Sequence, residues 1–395
     1  MYNKIKSIGV IGAGVMGHGI AQVAAMAGFN VVLIDISENV LKKALDNITW
    51  SLNKFVEKGK ISVEESNEVI KRIKTSINIE EIKNVDFIIE AIPEDLKLKK
   101  EVFSKLDEFS PKHAILATNT SSLSITEISE ATKRPEKVIG MHFFNPPQLM
   151  KLVEVIKGKY TSEETIKVTI NIAKKMNKTT IIVNKDVPGF VVNRIFHMAL
   201  HEVFWSVFKG ESTIEGIDII LEQHGFPMGF FKLVDHIGLD VIYHVDEILY
   251  KAYGERMNPS PLIASMVNKG LLGKKVGRGF YDWTTKKLPL SQISSIKSEI
   301  IERIYAVVIN EAAFLIYEDV ASPSDIDLGV KLGTNWPKGP CEIGDELGLD
   351  NILNKLSALY KTYNSERYKP CPLLEIYVNK NWVGKKSKKG FYEYS

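Results

Sequence analysis

The sequence predicts an α/β domain with a doubly wound sheet, followed by two tandem all-α domains. Strand-like apolar runs alternate with helical patterns up to about residue 186, as in a layered α/β fold. Long helical patterns then replace them, and two segments of this half repeat each other at a spacing of about 110 residues. We therefore expect domains at 1–186, 187–285 and 286–395.

The first element of the α/β domain has the pattern of a dinucleotide site. An Ile- and Val-rich run over residues 5–11 leads directly into a glycine loop and then into an alanine-rich helical pattern. In a Rossmann-like fold the three glycines permit a tight turn, close approach of a pyrophosphate and packing of the helix on the strand. The amides at the helix start would bind phosphate oxygens. The predicted cofactor-binding residues are Gly12, Ala13, Gly14, Val15, Met16 and Gly17.

The second strand-like run, residues 30–35, ends on Asp35. A carboxylate at this place accepts hydrogen bonds from the adenosine ribose hydroxyls. It would repel a 2′-phosphate, and no arginine follows it, so NAD is predicted rather than NADP. The alternative is a glycine turn that binds nothing.

Five further runs predict the rest of the sheet, at residues 86–90, 114–118, 137–142, 152–156 and 179–183. A helical insertion, about residues 38–74 and broken at Gly59, separates Asp35 from these strands. A simple crossover does not need so much chain. The insertion either covers a large substrate beside the nucleotide or serves no binding role, and the sequence does not decide between them.

The stretch 140–158 combines a histidine with a carboxylate in an apolar setting. His142 ends a strand-like run before two phenylalanines and two prolines, and Glu154 interrupts the apolar string 151–156. A buried carboxylate without a partner is costly. The two side chains therefore form either a structural pair or a catalytic one.

The helical half is predicted to be a duplication. Residues 225–240 match 335–350, and residues 273–281 match 384–392. The first copy begins with Asn193-Arg194, whereas the second has Glu302-Arg303 at the matching place. We expect copy one to contribute to a site and copy two to be structural. Their pairing would bury faces that otherwise need a second subunit, which leaves a monomer with an internal pseudo-dimer or a homodimer.

The composition excludes several classes of partner. The chain is 45% hydrophobic and 25% charged, with a net charge of +3 and scattered lysines, so neither nucleic acid nor a membrane is expected. Two cysteines give no disulfide framework, which favours the cytoplasm. No metal site is predicted, because His197, His201, His224 and His236 show no metal-ligand spacing and are interpreted as packing residues.

Six segments, in this order, resemble the 3-hydroxyacyl-CoA dehydrogenase family over essentially the whole chain: GVIGAGVMGHGIA, EAIPEDLKLKKEVF, NTSSLSI, MHFFNPPQLMKLVE, DVPGFVVNR and GKKVGRGFY. The resemblance implies NAD-dependent oxidation of L-3-hydroxyacyl-CoA, with short substrates such as 3-hydroxybutyryl-CoA expected, as in fatty acid β-oxidation. It also implies a Rossmann-like domain and a helical C-terminal domain that usually dimerises.

The resemblance assigns roles to individual residues. His142 matches the catalytic base and Glu154 its partner, while Ser121 and Asn193 match polar contacts to the reacting oxygen. Taken singly, Ser121 could instead cap a helix near Ser124. The remaining assignments are cofactor contacts at Glu94, Lys99 and Asn145, and CoA contacts at Ser51 and Lys58.

Two other functions stay open. One is an NAD-dependent dehydrogenase of a free hydroxy acid or sugar acid, and the other is an NAD-binding structural or sensing protein that has lost its chemistry. Family members with two helical copies are often joined to a hydratase–isomerase module, which is not in this sequence. A separate enoyl-CoA hydratase is therefore an expected partner in the pathway.

Overall fold

The computed structural model describes residues 5–285 and 299–395, and the chain divides into two compact units, Met1–Val187 and Pro188–Ser395. The predicted start of the second helical copy, residue 286, lies outside the described residues. No helix in the described ranges is long and apolar enough to cross a bilayer.

The first unit is built on one eight-stranded sheet with the order β3-β2-β1-β4-β5-β6-β7-β8. Every neighbouring pair is parallel except β6 and β7, which are antiparallel. The strands are β1 Ser7–Ile11, β2 Asn30–Ile34, β3 Ile73–Ser76, β4 Phe87–Glu90, β5 Ile115–Thr118, β6 Val138–Phe143, β7 Leu152–Ile156 and β8 Thr179–Val183.

The central strands are apolar runs because the sheet buries them. β4, β5, β6 and β7 are buried at every position, as expected where both faces of a sheet are covered. The helices of this unit are α1 Val15–Met26, α2 Glu38–Glu57, α3 Val63–Lys71, α4 Leu96–Phe109, α5 Ile125–Ser129 and α6 Glu163–Lys175. The predicted α/β class is confirmed.

The predicted insertion forms two helices, α2 and α3. Gly59 follows α2 with φ of +64°, a conformation that favours glycine. Ser62 then starts α3 with a capping box, in which its side chain and that of Glu65 satisfy each other's backbone N–H groups. The helical pattern ends at Lys71, and β3, which the sequence did not predict, follows at the edge of the sheet.

Within its described residues, the second unit contains two sets of five α-helices in the same order, as the predicted duplication requires. The first set is α7 Val192–Phe208, α8 Ile214–Gln223, α9 Phe230–Ile237, α10 Leu239–Tyr253 and α11 Pro261–Asn268. The second set is α12 Glu299–Tyr317, α13 Pro323–Thr334, α14 Pro340–Leu347, α15 Leu349–Tyr363 and α16 Pro372–Asn379. The two sets pack against each other through α7 and α12.

The repeated Gly-Phe-Tyr segments have a structural explanation. In the first set, Asp235 accepts hydrogen bonds from the backbone of Phe280 and Tyr281, and the Tyr281 hydroxyl donates to Asp218 at 2.8 Å. A Cβ on Gly279 would lie 2.0 Å from the Asp235 carboxylate, so only glycine fits there. The second set repeats these contacts at Asp345, Phe391, Tyr392, Asp327 and Gly390.

Candidate active site

The glycine loop lies between β1 and α1 and has room for a phosphate group. A Cβ on Gly17 would come within 1.8 Å of the Gly12 carbonyl oxygen, so this glycine is required for packing. At Gly14, by contrast, no described atom would lie within 4 Å of an added Cβ, apart from the atoms of its chain neighbours. Among the described residues no side chain caps the start of α1, and its amides are available to an anion. The loop fits a dinucleotide pyrophosphate.

Asp35 follows β2 and contacts the glycine loop directly. Its Oδ2 accepts a hydrogen bond of 2.8 Å from the backbone N–H of Ala13, and its Oδ1 accepts one of 3.3 Å from Ser37. This places the carboxylate at the carboxyl end of β2, next to the strand that leads into the loop. The position suits the ribose contact that the sequence predicts.

His142 and Glu154 stand directly opposite each other in the antiparallel pair β6–β7. Side chains of opposed residues project from the same face of a sheet, so the two groups meet. The His142 Nδ1 lies 2.7 Å from Glu154 Oε2, and the Glu154 side chain is fully buried. The His142 side chain is 9% exposed, and its ring lies 4.7 Å from the Phe144 ring between centroids.

Ser121 lies in the loop after β5, and β5 is the strand next to β6, which carries His142. Asn119, in the same loop, accepts a hydrogen bond of 2.8 Å from the backbone N–H of Phe143, which ties the loop to the end of β6. Ser124, and not Ser121, caps α5 by accepting a bond from Glu127. The capping alternative for Ser121 is therefore wrong.

Glu94 holds the loop that carries Ser121. Its Oε1 accepts hydrogen bonds from the backbone N–H groups of Ser121, at 3.0 Å, and Ser122, at 3.2 Å, and from the Thr120 hydroxyl. Burial raises the pKa of Glu94, but the Lys99 charge and these hydrogen bonds outweigh it and leave the pKa below its ordinary value. Glu94 is therefore an anion at neutral pH.

Lys99 is buried on α4 between two carboxylates. Its Nζ lies 2.6 Å from Glu90 Oε1 and 3.4 Å from Glu94 Oε2, and its side chain is 1% exposed. Burial raises the pKa of Glu90, and Lys99 only partly offsets this effect. Lys99 thus contacts Glu94 rather than solvent, so any influence of Lys99 on a cofactor would pass through Glu94.

The other predicted contacts differ in exposure. Asn145 is exposed and precedes Pro146 through a cis peptide bond. Lys58 is exposed at the end of α2, whereas Ser51, two turns earlier, is 5% exposed and buried on that helix. Asn193 lies in the first turn of α7, in the second unit, and is half-buried.

Two residues beside this site were not predicted. Glu90 ends β4 and accepts hydrogen bonds from the Thr118 hydroxyl at 2.7 Å and from Lys99. Lys178 precedes β8 and donates to the carbonyls of Pro147 and Met150, in the turn after Asn145. An acid at the end of a buried strand was a visible signal for Glu90, whereas the Lys178 contacts depend on tertiary packing.

Together these groups suit a proton transfer beside a bound dinucleotide. A buried carboxylate fixes the orientation of an imidazole and stabilises it once it has taken a proton. A serine-bearing loop lies at the same carboxyl edge of the sheet, where ligands bind in open α/β folds.

Two family models match the sequence. The model described as 3-hydroxyacyl-CoA dehydrogenase, NAD binding domain, matches residues 7–187. The model described as 3-hydroxyacyl-CoA dehydrogenase, C-terminal domain, matches twice, at residues 189–283 and 300–394.

Curated relatives and solved structures agree with these matches. The chain is 46% identical to the probable 3-hydroxybutyryl-CoA dehydrogenase of Bacillus subtilis (strain 168), over 72% of this chain and 99% of that protein. It is 32% identical to the 3-hydroxyadipyl-CoA dehydrogenase of Escherichia coli (strain K12), over 95% and 98%. A crystal structure of 3-hydroxybutyryl-CoA dehydrogenase from Escherichia coli K12 is similar with a TM-score of 0.90 and 31% identity, over 95% of this chain and 99% of that one.

Proposed function

The chain belongs to the 3-hydroxyacyl-CoA dehydrogenase family and is an NAD-dependent oxidoreductase, and from this premise we propose that it oxidises short L-3-hydroxyacyl-CoA esters, such as 3-hydroxybutyryl-CoA, to 3-ketoacyl-CoA. The observation that carries the proposal is the 2.7 Å contact between His142 Nδ1 and Glu154 Oε2. It gives the family's reaction a base that is already oriented.

In this mechanism His142 takes the proton from the C3 hydroxyl through Nε2, the ring nitrogen opposite the Glu154 contact. The glycine loop and Asp35 would hold NAD, which would supply the hydride acceptor for C3. Glu154 holds the ring in place and stabilises the imidazolium that forms. Because Glu154 is fully buried, its charge acts on the ring with little screening by water.

Ser121 and Asn193 are the proposed polar contacts to the reacting oxygen. In the oxidising direction they hold the hydroxyl toward His142, and in the reverse direction they polarise the ketone. Glu94 supports the first of these roles, since it fixes the backbone of Ser121 through a hydrogen bond of 3.0 Å.

The CoA moiety is proposed to lie along the helical insertion, with Lys58 as an exposed cation near its phosphates. Ser51 is buried on the same helix, so its proposed contact requires the CoA to reach the packed side of α2. The proposed cofactor contacts within the first unit are Glu94 and Asn145. Lys99 is proposed to act on the cofactor through Glu94.

The domain limits 1–186, 187–285 and 286–395 and a cytoplasmic location remain proposals. The location is supported by Cys341 and Cys371, which are both free and buried. A separate enoyl-CoA hydratase is the proposed source of the 3-hydroxyacyl-CoA substrate.

The test is oxidation of NADH by acetoacetyl-CoA with purified wild type and with His142→Gln. We expect turnover in the wild type, loss of nearly all turnover in the variant, and equal NADH binding by both. Free acetoacetate serves as the control for a dehydrogenase of free acids. Turnover of acetoacetate but not of the CoA ester would reject the proposal, and tight NADH binding without turnover of any substrate would favour a binding protein.

The substrate length needs a separate series. A relative named for the C6 dicarboxylic substrate 3-hydroxyadipyl-CoA covers nearly the whole chain, so the series should include that ester beside esters of increasing length. We expect the highest kcat/KM for the four-carbon ester. A higher value for the dicarboxylic ester would replace the proposed substrate but retain the reaction.

A further inference from the structure

A second group of ionisable side chains is buried in the helical unit, within the first repeat. His197 and His201 lie on α7, and Asp246 lies on α10. All three are buried, with exposures of 2%, 0% and 0%. Asp246 Oδ1 lies 2.6 Å from His197 Nδ1 and 2.8 Å from His201 Nε2.

The spacing of the two histidines explains why both rings contact Asp246. Residues four apart on a helix lie on the same face one turn from each other, so both rings point toward α10. The interpretation of these histidines as having no ligand spacing is therefore wrong. Their rings are 6.3 Å apart between centroids and almost perpendicular, at 82°.

Hydrogen bonds leave this group only partly satisfied. Within the described residues, neither Asp246 Oδ2 nor His201 Nδ1 has a hydrogen-bond partner, although both atoms are buried. An unpaired buried polar atom is costly and calls for an explanation. A bound ion is one such explanation for a carboxylate oxygen.

The second repeat shows that the fold does not need these side chains. The positions that match His197, His201 and Asp246 are occupied by Ala306, Asn310 and Leu356, all of them buried. Asn310 instead binds the backbone, donating to Lys369 O and accepting from Cys371 N. The histidine–aspartate group is thus a feature of the first repeat alone.

We propose that His197, His201 and Asp246 form a structural binding site for a zinc ion. Two imidazoles and a carboxylate are ligands that Zn²⁺ prefers, and both oxygens of Asp246 together with one nitrogen of each ring would give four donor atoms. One donor atom from each of the three residues already lies within 4.8 Å of the others. Zn²⁺ bonds of about 2.0–2.2 Å place donor atoms from different residues roughly 3.3 Å apart, so side-chain shifts of about 1 Å would complete the site.

The ion would take the place of the present hydrogen bonds. Each ligating nitrogen must lose its proton, either to the other nitrogen of the ring or to solvent, before its lone pair can bind the metal. Because the group is almost fully buried, no position is open to a substrate and the role is structural. The ion would link α7 to α10, one turn after Asn193 on α7.

Metal binding can be measured on the untagged full-length protein after treatment with a chelator. We expect the stripped protein to bind one equivalent of Zn²⁺ in competition with a chromophoric chelator, and its melting temperature to rise. Co²⁺ should produce visible absorption bands of a low-symmetry site. The variant His197→Ala/His201→Asn, which introduces the residues of the second repeat, should lose this equivalent of binding.

The matched control is His224→Ala/His236→Ala, which removes two histidines outside the group and should keep the full equivalent. Circular dichroism establishes that each variant is folded. If the variant His197→Ala/His201→Asn does not fold, the Zn²⁺ stoichiometry and the Co²⁺ spectrum of the wild type still test the proposed site. A folded wild type that binds neither ion overturns the proposal and leaves a hydrogen-bonded His–Asp–His group.

Discussion

Arg194, on α7, donates a hydrogen bond of 2.8 Å from Nε to Oε1 of Glu311, on α12, and both side chains are fully buried. The matching contact also occurs with the two helices exchanged. Arg303, on α12, donates at 2.6 Å to Glu202 on α7. In both directions the matching residues are 109 positions apart, so the two repeats contact each other through one surface used twice. Such a self-complementary contact is the kind that a two-fold dimer interface has.

Arg194→Met should destabilise the helical unit by about 3–5 kcal/mol, because it removes the nearest cation from the buried Glu311 carboxylate and leaves only Arg256, at 3.4 Å, among the described residues. Denaturant unfolding followed by circular dichroism measures the loss. The double variant Arg194→Met/Glu311→Leu removes both charges and should recover most of the stability. A double variant less stable than the single one would show that the pair itself is strongly stabilising.

The two glycines of the phosphate loop should respond differently to alanine. Gly14→Ala should keep the fold, since its Cβ points into open space, but should weaken NADH binding by about tenfold or more, because we propose that the pyrophosphate binds in that space. Gly17→Ala should lower the melting temperature, since its Cβ would meet the Gly12 carbonyl at 1.8 Å. Thermal melts measure the effect on stability, and fluorescence titrations with NADH measure the effect on affinity. Equal NADH affinity in Gly14→Ala and the wild type would contradict the proposed loop function.

Lys99→Met should destabilise the protein more at pH 8 than at pH 5. Burial raises the pKa of Glu90 in the folded state, and Lys99 partly offsets this effect. Without Lys99 the pKa of Glu90 therefore rises further. The folded protein then holds a proton that the unfolded chain has released, so stability falls as pH rises through this range. Glu94 changes in the same direction, since Lys99 is what lowers its pKa most.

Denaturant unfolding of the wild type and Lys99→Met at both pH values measures this difference. The expected loss at pH 8 is about 3–5 kcal/mol, the usual cost of breaking a buried ion pair from one side. Lys100→Met, at a half-buried position on the same helix, is the control and should show little pH dependence. A loss that is equal at both pH values would mean that Glu90 and Glu94 do not respond to Lys99.

Much of the fold was predictable because its signals are local. Seven of the eight strands appear as apolar runs, and the duplication is visible as a repeated sequence. β3 was missed because Ile73–Ser76 is a short edge strand with three polar residues and no buried position. The His142–Glu154 contact was also predicted, since Glu154 follows His142 by only twelve positions, across a turn between adjacent strands.

The remaining contacts depend on packing between distant parts of the chain. Asp246 lies 49 positions from His197, and Glu311 lies 117 from Arg194, so no local spacing reveals either pair. Glu94 and Ser121 are separated by 27 positions and a complete helix and strand. Each pair becomes visible only when helix packing or strand order is known.

Glu154→Gln should lower kcat by about 10²–10⁴-fold while leaving NADH binding unchanged. Glutamine keeps the size of the side chain but cannot stabilise an imidazolium, and loss of the comparable carboxylate in a hydrolase triad has an effect of this order. Steady-state kinetics with acetoacetyl-CoA and NADH, beside an NADH titration, measure both quantities.

The same residue can be tested through a double-mutant cycle with His142→Gln. If Glu154 acts only through His142, the double variant His142→Gln/Glu154→Gln should be no slower than His142→Gln alone, because residues that act as one unit are strongly non-additive. Circular dichroism verifies that all three variants are folded, since Glu154 is buried. Losses that multiply in the double variant would mean that Glu154 has a separate role, and the carboxylate would then not be the positioning partner of the base.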